Sequence, residues 1–204
     1  MEVALIGASG NVGSRILTEL LNRGHQVTGI VRHPEKLLRH DRLVAKQGDI
    51  NDEAELATLL AGHDAIISAV KFLSANPQSL IGAVKKAGVK RLLVVGGAGS
   101  LEVSRGVQLV DSADFPSAYK PEALAGRDFL NLLRGEHQLD WTFLSPSALF
   151  VPGERTGKFC LGTDRLLVNT KGDSKISFED YAIALVDELE TPRHSRQRFT
   201  IGYC

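Results

Sequence analysis

The residues with the clearest chemistry lie near the start of the chain. Gly7-Ala8-Ser9-Gly10-Asn11-Val12-Gly13 is a G-x-x-G-x-x-G run, directly after the apolar stretch Val3–Ile6. Each glycine has a physical task. The first allows a tight exit from a strand, the second removes a Cβ that would keep a phosphate off the backbone, and the third lets the following helix pack closely. A helix starting here offers unpaired N–H groups and about half a positive charge to an anion. The expected chemistry is a pyrophosphate held by main-chain amides, with Gly7, Ser9, Gly10, Asn11, Val12 and Gly13 as the binding turn of a dinucleotide site.

Other positions fall into the same expected pocket. The end of the second strand meets the adenosine ribose, where an acid takes a 2′-hydroxyl and a base takes a 2′-phosphate. Arg32 and His33 stand there, and Glu35 lies beyond Pro34. An arginine can hold a phosphate through paired donors, so NADP(H) is the preferred cofactor and NAD(H) the lesser one; a solvated surface arginine is the plainer alternative. Asp49 and Ile50 follow the third strand, toward the adenine, with a turn or helix cap as the alternative for Asp49. Ala69 and Val70 end the fourth strand beside the riboses.

These groups need a scaffold, and the pattern supplies one. Strands are expected at Val3–Ile6, Gln26–Val31, Leu43–Lys46, Ala65–Val70, Arg91–Val95, Trp141–Leu144 and Arg198–Tyr203, with short ones at Leu166–Asn169 and Lys175–Ser177. Helices are expected from Val12 to the Gly24 stop, after the Asp52/Glu55 capping pair, from Asn76-Pro77 to Gly88, over Pro121–Arg134 and over Phe178–Leu189. Alternation at this spacing implies a Rossmann-like, doubly wound α/β fold: a mostly parallel sheet with helices on both faces. One domain over 1–204 is expected, with a small irregular region around 145–177 on the substrate side.

Composition excludes several classes. Lys plus Arg and Asp plus Glu both number 24 in 204 residues, which removes the charge footprint of a nucleic-acid or anionic-membrane binder. Two cysteines, Cys160 and Cys204, make neither a disulfide framework nor a four-cysteine zinc site and fit a reducing compartment. Cys160 is read as a small apolar residue or an incidental thiol. The six histidines form no pattern with acids that asks for a metal. No apolar run approaches the roughly 20 residues of a membrane span, and the Met1-Glu2 start has no signal-peptide layout. The expectation is a cytoplasmic protein acting on a small-molecule substrate, without metal, nucleic acid or membrane, and with a homodimer left open. Gly153-Glu154-Arg155-Thr156-Gly157-Lys158-Phe159 has one residue too few for a P-loop, and Phe159 replaces the magnesium-binding hydroxyl.

Taken together, Ala4–Gly13, Gly48-Asp49-Ile50, Val94–Ser100 and Ser145-Pro146-Ser147 make the chain resemble the atypical short-chain dehydrogenase/reductases of the NmrA-like type. Pro152–Gly157 and Ile176–Ala182 resemble that group too. Within it, the chain is similar to small bacterial NADH-flavin reductases related to biliverdin reductase B. The resemblance covers nearly the whole chain. It implies a nicotinamide cofactor across the carboxyl ends of the strands, with Ser145 to Ala148, Pro146 and Ser147 among them, running past its nicotinamide side and Gly96 as a further cofactor-binding residue. It also implies a Tyr-x-x-x-Lys pair, in which the tyrosine passes a proton and the lysine lowers its pKa.

That pair is incomplete. Tyr119 stands where the tyrosine is expected, but position 123 is alanine and Lys120 is the adjacent residue. Helix neighbours point about 100° apart. Tyr119 and Lys120 either reach the site from a turn or are a packed tyrosine and a solvated lysine. Ser100 is a third group, either hydrogen-bonding an acceptor or an ordinary loop serine. Carbonyl reduction needs a general acid, whereas a flavin or quinone can take its proton from water. The leading expectation is therefore an NAD(P)H-dependent reductase of a small planar acceptor, with flavin as one such substrate. The alternatives are a non-catalytic NADP(H)-binding regulator of the NmrA kind and, more distantly, a nucleotide-sugar epimerase or dehydratase.

Overall fold

Strands whose residues are apolar without alternation must be buried on both faces, and the computed structural model, which describes residues 1–204, shows this arrangement. In chain order the elements are β1 (Glu2–Ile6), α1 (Asn11–Asn22), β2 (Gln26–Val31), β3 (Leu43–Gln47), α2 (Glu53–Leu60), β4 (Ala65–Ser68), α3 (Pro77–Lys86) and β5 (Arg91–Val95). A small hairpin follows, β6 (Glu102–Ser104) and β7 (Val107–Gln108), then α4 (Lys120–Arg134) and β8 (Asp140–Ser145). Next come β9 (Leu149–Val151), β10 (Cys160–Gly162), β11 (Lys175–Ser177), α5 (Phe178–Glu190) and β12 (Gln197–Gly202).

The main sheet runs β3-β2-β1-β4-β5-β8-β12-β10. Every neighbouring pair is parallel except β10 on β12, which is antiparallel. The chain moves outward from β1 to β3 and then crosses back to β4 on the other side of β1. Strand order reverses at that point, and the crevice at the carboxyl ends there is where open α/β sheets take ligands. Alternate residues of each strand load opposite faces. Val3 and Leu5 join a core of 22 buried residues with α1 and α5, and Ala4 and Ile6 join one of 20 with α2, α3 and α4, so both faces are covered almost equally.

The capping pair behaves as expected: Asp52 accepts from the Glu55 amide at the start of α2. Asn76 and Ser177 cap α3 and α5 in the same way.

Three expectations need correction. Leu166–Asn169 is not a strand. Leu166 donates one backbone bond to Glu102, and the Asn169 side chain accepts from the amides of Lys171 and Asp173, which closes a turn instead of extending a ladder. The short strands of this region are β9, paired with β11, and β10. Helix α4 begins one residue early, at Lys120. Cys160 is not an isolated thiol: it forms a disulfide with Cys204 across 44 residues, with Cα atoms 6.0 Å apart. Antiparallel pairing of Cys160 with Gly202 brings the two together, a neighbour relation that no local sequence pattern records.

Candidate cofactor site

The glycine turn is built against its own chain. Gly7 has φ +83°, and a Cβ there would sit 2.6 Å from the Ala69 carbonyl oxygen. Its amide donates to Ile30 (2.9 Å), and its carbonyl accepts from the Gly10 amide (3.0 Å). Gly13 faces that same carbonyl so closely that a Cβ would collide with it. Gly10 differs, with an ordinary φ of −72° and its nearest prospective Cβ contact at 3.3 Å. It is exposed, and a side chain there would be less crowded by the chain itself than one at Gly7 or Gly13.

Helix α1 has no side-chain cap and no acid in its first turn. The first amides of a helix have no intrahelical partner. Ser9, Gly10 and Asn11 are exposed there, with Val12 half-buried, so the turn presents unpaired donors and positive dipole to solvent.

Beside this turn opens a cavity of about 440 Å³. Ser9, Ser14 and Thr18 line one side; Arg32, His33 and Lys36 line another, and no acid is among its lining residues. Glu35 turns to His33, 3.3 Å away. Lys36 escaped the sequence reading. It comes to the cavity because β2 runs into a single helical turn over Pro34–Lys36, and the Pro34-Glu35-Lys36 segment was the available signal.

The remaining predicted positions ring the strand ends. Ala69 donates to Ile6 (2.9 Å), and both Ala69 and Val70 lie where a Gly7 side chain would be. Asp49 is exposed and accepts from the Asn51 amide (2.9 Å), so it does cap a turn, and Ile50 is 8% exposed in the second core. Gly96 donates to the Leu144 carbonyl (2.9 Å). The same carbonyl accepts from the Tyr181 hydroxyl (2.6 Å), whose oxygen lies 3.3 Å from the Gly96 amide. Burial pushes the Tyr181 phenol far above its usual range, so it remains a proton-bearing strut under the ends of β5 and β8. Pro146 is buried, and Ser147, also buried, donates to the Ile201 carbonyl (2.9 Å). Ser145 Oγ is buried and has no partner.

The three candidate catalytic groups are not brought together alike. Tyr119 precedes α4 and is 68% exposed, and Lys120, the first residue of the helix, is exposed too. At the fourth position along, Ala123 packs on Gly99, where an added Cβ would be 2.8 Å from the Ala123 Cβ. Ser100 is only 4% exposed and accepts from Arg198 (3.4 Å). Glu122, which sequence reasoning passed over, accepts from the amides of Phe72 (2.7 Å) and Leu73 (3.0 Å) and so ties the β4 exit to α4.

The glycine-bearing stretch 153–158 does hold an anion, but one supplied by the chain itself. The amides of Thr156 (2.7 Å) and Gly157 (2.8 Å) and the Thr156 hydroxyl (2.6 Å) all donate to Asp180. Burial works to raise the Asp180 carboxyl, yet these donors and the Tyr203 hydroxyl hold it below the usual range. Gly153 donates to Glu179 (2.8 Å), and Arg155 forms two 2.9 Å bonds to Glu19, so this loop is fastened to α1 and α5.

The chain is similar to several proteins of known structure. One from Burkholderia pseudomallei, provisionally named an exported protein, is 48% identical over the whole of both chains with a TM-score of 0.91. One from Bacteroides thetaiotaomicron, provisionally named an epimerase, is 47% identical over 99% of this chain and 96% of its own, with a TM-score of 0.95. One from Streptococcus pneumoniae TIGR4, provisionally named an NADH-flavin reductase, is 38% identical over the whole of both chains with a TM-score of 0.80. The names disagree where the folds agree, and a shared fold does not by itself fix an activity. No helix is long and apolar enough to cross a membrane. Residues 7–192 match the NAD(P)H-binding family model, a span that begins at the first glycine of the turn, and the chain belongs to that NAD(P)H-binding family.

Proposed function

We propose that this protein is an NADPH-dependent reductase of small planar acceptors of the flavin or quinone class. The observation that carries the reading is the contrast between a well-provided cofactor end and a bare proton-relay position. The cavity at the end of β2 is basic and acid-free, and Ala123 occupies the place of the relay lysine.

The residues present fit a phosphorylated dinucleotide. The uncapped start of α1 suits a pyrophosphate, and Gly10 leaves its approach open. Ser9, Arg32, His33 and Lys36 suit a 2′-phosphate, since charge-assisted bonds to phosphate are roughly twice as strong as neutral ones. NAD(H) finds fewer partners at that cavity. When bound, the nicotinamide supplies a hydride to the acceptor. The chain's own part is to orient the two rings and exclude water. Gly96, Pro146 and Ser147 wall the nicotinamide side, held by the Leu144–Tyr181 bond, with 145–177 bordering the acceptor in one cofactor-binding unit. Tyr119 and Lys120 flank the acceptor, and Ser100 braces the wall through Arg198.

A carbonyl acceptor would need a positioned general acid. The site offers no lysine at position 123 to prepare Tyr119, which favours acceptors that draw protons from water. The provisional name of the Streptococcus pneumoniae relative supports the same class. One observation favours a second reading: the hydroxyl of Ser100 is buried against Arg198, which suits a cofactor-sensing protein without turnover. NADPH oxidation with FMN, riboflavin and a simple naphthoquinone separates the two. Protein-dependent oxidation supports the reductase; saturable NADPH binding with no turnover on the panel supports the sensor.

A further inference from the structure

The two cysteines stand at the sheet edge that ends in β10, away from the proposed cofactor cavity. We propose that Cys160–Cys204 is a reversible thiol–disulfide site, which clasps the chain's last residues to β10 and sets how firmly the 152–158 loop is held.

The first support is placement. β10 is a three-residue edge strand, paired only with β12. Cys160 is half-buried and Cys204 exposed, so a reductant can reach the bond. Accessible disulfides are the ones exchanged by thiols, while buried structural ones resist. The second support is wiring. Tyr203, next to Cys204, donates its amide to Lys175 (3.0 Å) and its hydroxyl to Asp180 (2.8 Å). The Asp180 carboxylate holds Thr156 and Gly157, and Ser177, 3.0 Å from the Tyr203 hydroxyl, donates to the Glu154 carbonyl (2.8 Å). Ile201, three residues before Cys204, accepts from Ser147. Releasing the tail removes the covalent restraint on Tyr203. Asp180 then keeps its hold on the loop with one donor less, and the stretch from Ser147 to Lys158 gains freedom.

The exchange balances with a dithiol reductant. Its thiolate attacks Cys204 Sγ, and the electron pair of the S–S bond leaves on Cys160, which takes a proton from water. The second thiol of the reductant, as its thiolate, then displaces Cys204, which is protonated in turn. The disulfide has gained two electrons and two protons, and the reductant is now the disulfide. Oxidation is the reverse exchange with an oxidised dithiol.

The test uses the full chain purified without reductant. Under denaturing conditions N-ethylmaleimide should add no group before dithiothreitol and two groups after it; two adducts before reduction would overturn the site. The folded protein is then digested with trypsin in both states. Cleavage after Arg155 and Lys158 should be roughly tenfold faster in the reduced protein, as local opening becomes cheaper, while cleavage after Lys46 on the opposite sheet edge should change by less than about twofold. Equal loop cleavage in the two states, or equal acceleration at Lys46, would overturn the coupling. Cys204→Ser should behave as the reduced protein does. If that variant does not fold, the two redox states of the unaltered chain decide.

Discussion

Gly13 lies against the carbonyl of Gly7, and nothing larger than hydrogen fits between them. Gly10 sits between these two in sequence, and a Cβ there would be 3.3 Å from the same carbonyl oxygen, against 2.0 Å for Gly13. The pair Gly13→Ala and Gly10→Ala therefore separates folding from binding. Gly13→Ala should cost about 1–3 kcal/mol by overpacking, read as a lower midpoint in urea. Gly10→Ala should lower the midpoint less than Gly13→Ala does, because its φ is ordinary and its methyl would lie 3.3 Å from the carbonyl oxygen instead of 2.0 Å, and weaken NADPH binding by about tenfold or more, because the new methyl meets the pyrophosphate. Calorimetry on both variants checks this.

Arg32, two residues before the Pro34–Lys36 turn, and Lys36, the last residue of it, line one cavity. Bonds between charged partners contribute about 1.5–3 kcal/mol each, and exposure puts these at the low end. Arg32→Ala should raise the NADPH dissociation constant about tenfold and leave NADH within about twofold. Lys36→Ala should act in the same direction with a smaller effect. Equal weakening toward both cofactors would remove the 2′-phosphate role.

Asp180 is fully buried and accepts from four donors, Thr156 twice, Gly157 and Tyr203. Asp180→Asn should cost about 2–3 kcal/mol, seen as a fall in melting temperature of roughly 5–10 °C for a chain of this size. The same carboxylate gives a pH signature. Its folded pKa lies below the ordinary value, and so do those of Glu19, Glu179 and Glu190. The folded state thus holds fewer protons than the unfolded one as pH falls past about 4. Stability should be complete above that range and lost below it, as pH drops through the folded values. Denaturant titrations between neutral and acid pH measure this, and Asp180→Asn should flatten the acid limb.

Tyr119 is exposed and lacks a lysine one helical turn on. With a flavin or quinone acceptor, Tyr119→Phe should leave kcat within about twofold, because the proton comes from water. A loss of about a hundredfold would instead identify Tyr119 as the proton donor, since a positioned acid contributes 10²–10⁴. Steady-state kinetics at saturating NADPH decide between them.

The strand–helix alternation, the glycine turn and the bare helix start were legible in order along the chain. They rest on local causes: unbroken apolar runs, capping residues such as Asp52, and glycines at fixed intervals. Arg32 was legible for the same reason, because a strand end lies a set distance after the first helix. What the sequence by itself determined is therefore the parallel sheet and the glycine turn between β1 and α1. The tertiary structure decided the rest. Lys36 joins Arg32 only once β2 bends into its turn, Asp180 meets Thr156 and Gly157 across more than twenty residues, and Glu122 ties down Phe72 from fifty residues away. Cys160 finds Cys204 only because an edge strand pairs antiparallel with the last one. Contacts of this kind depend on which surfaces pack against each other, and that is settled by burial over the whole chain, not by the spacing of neighbours.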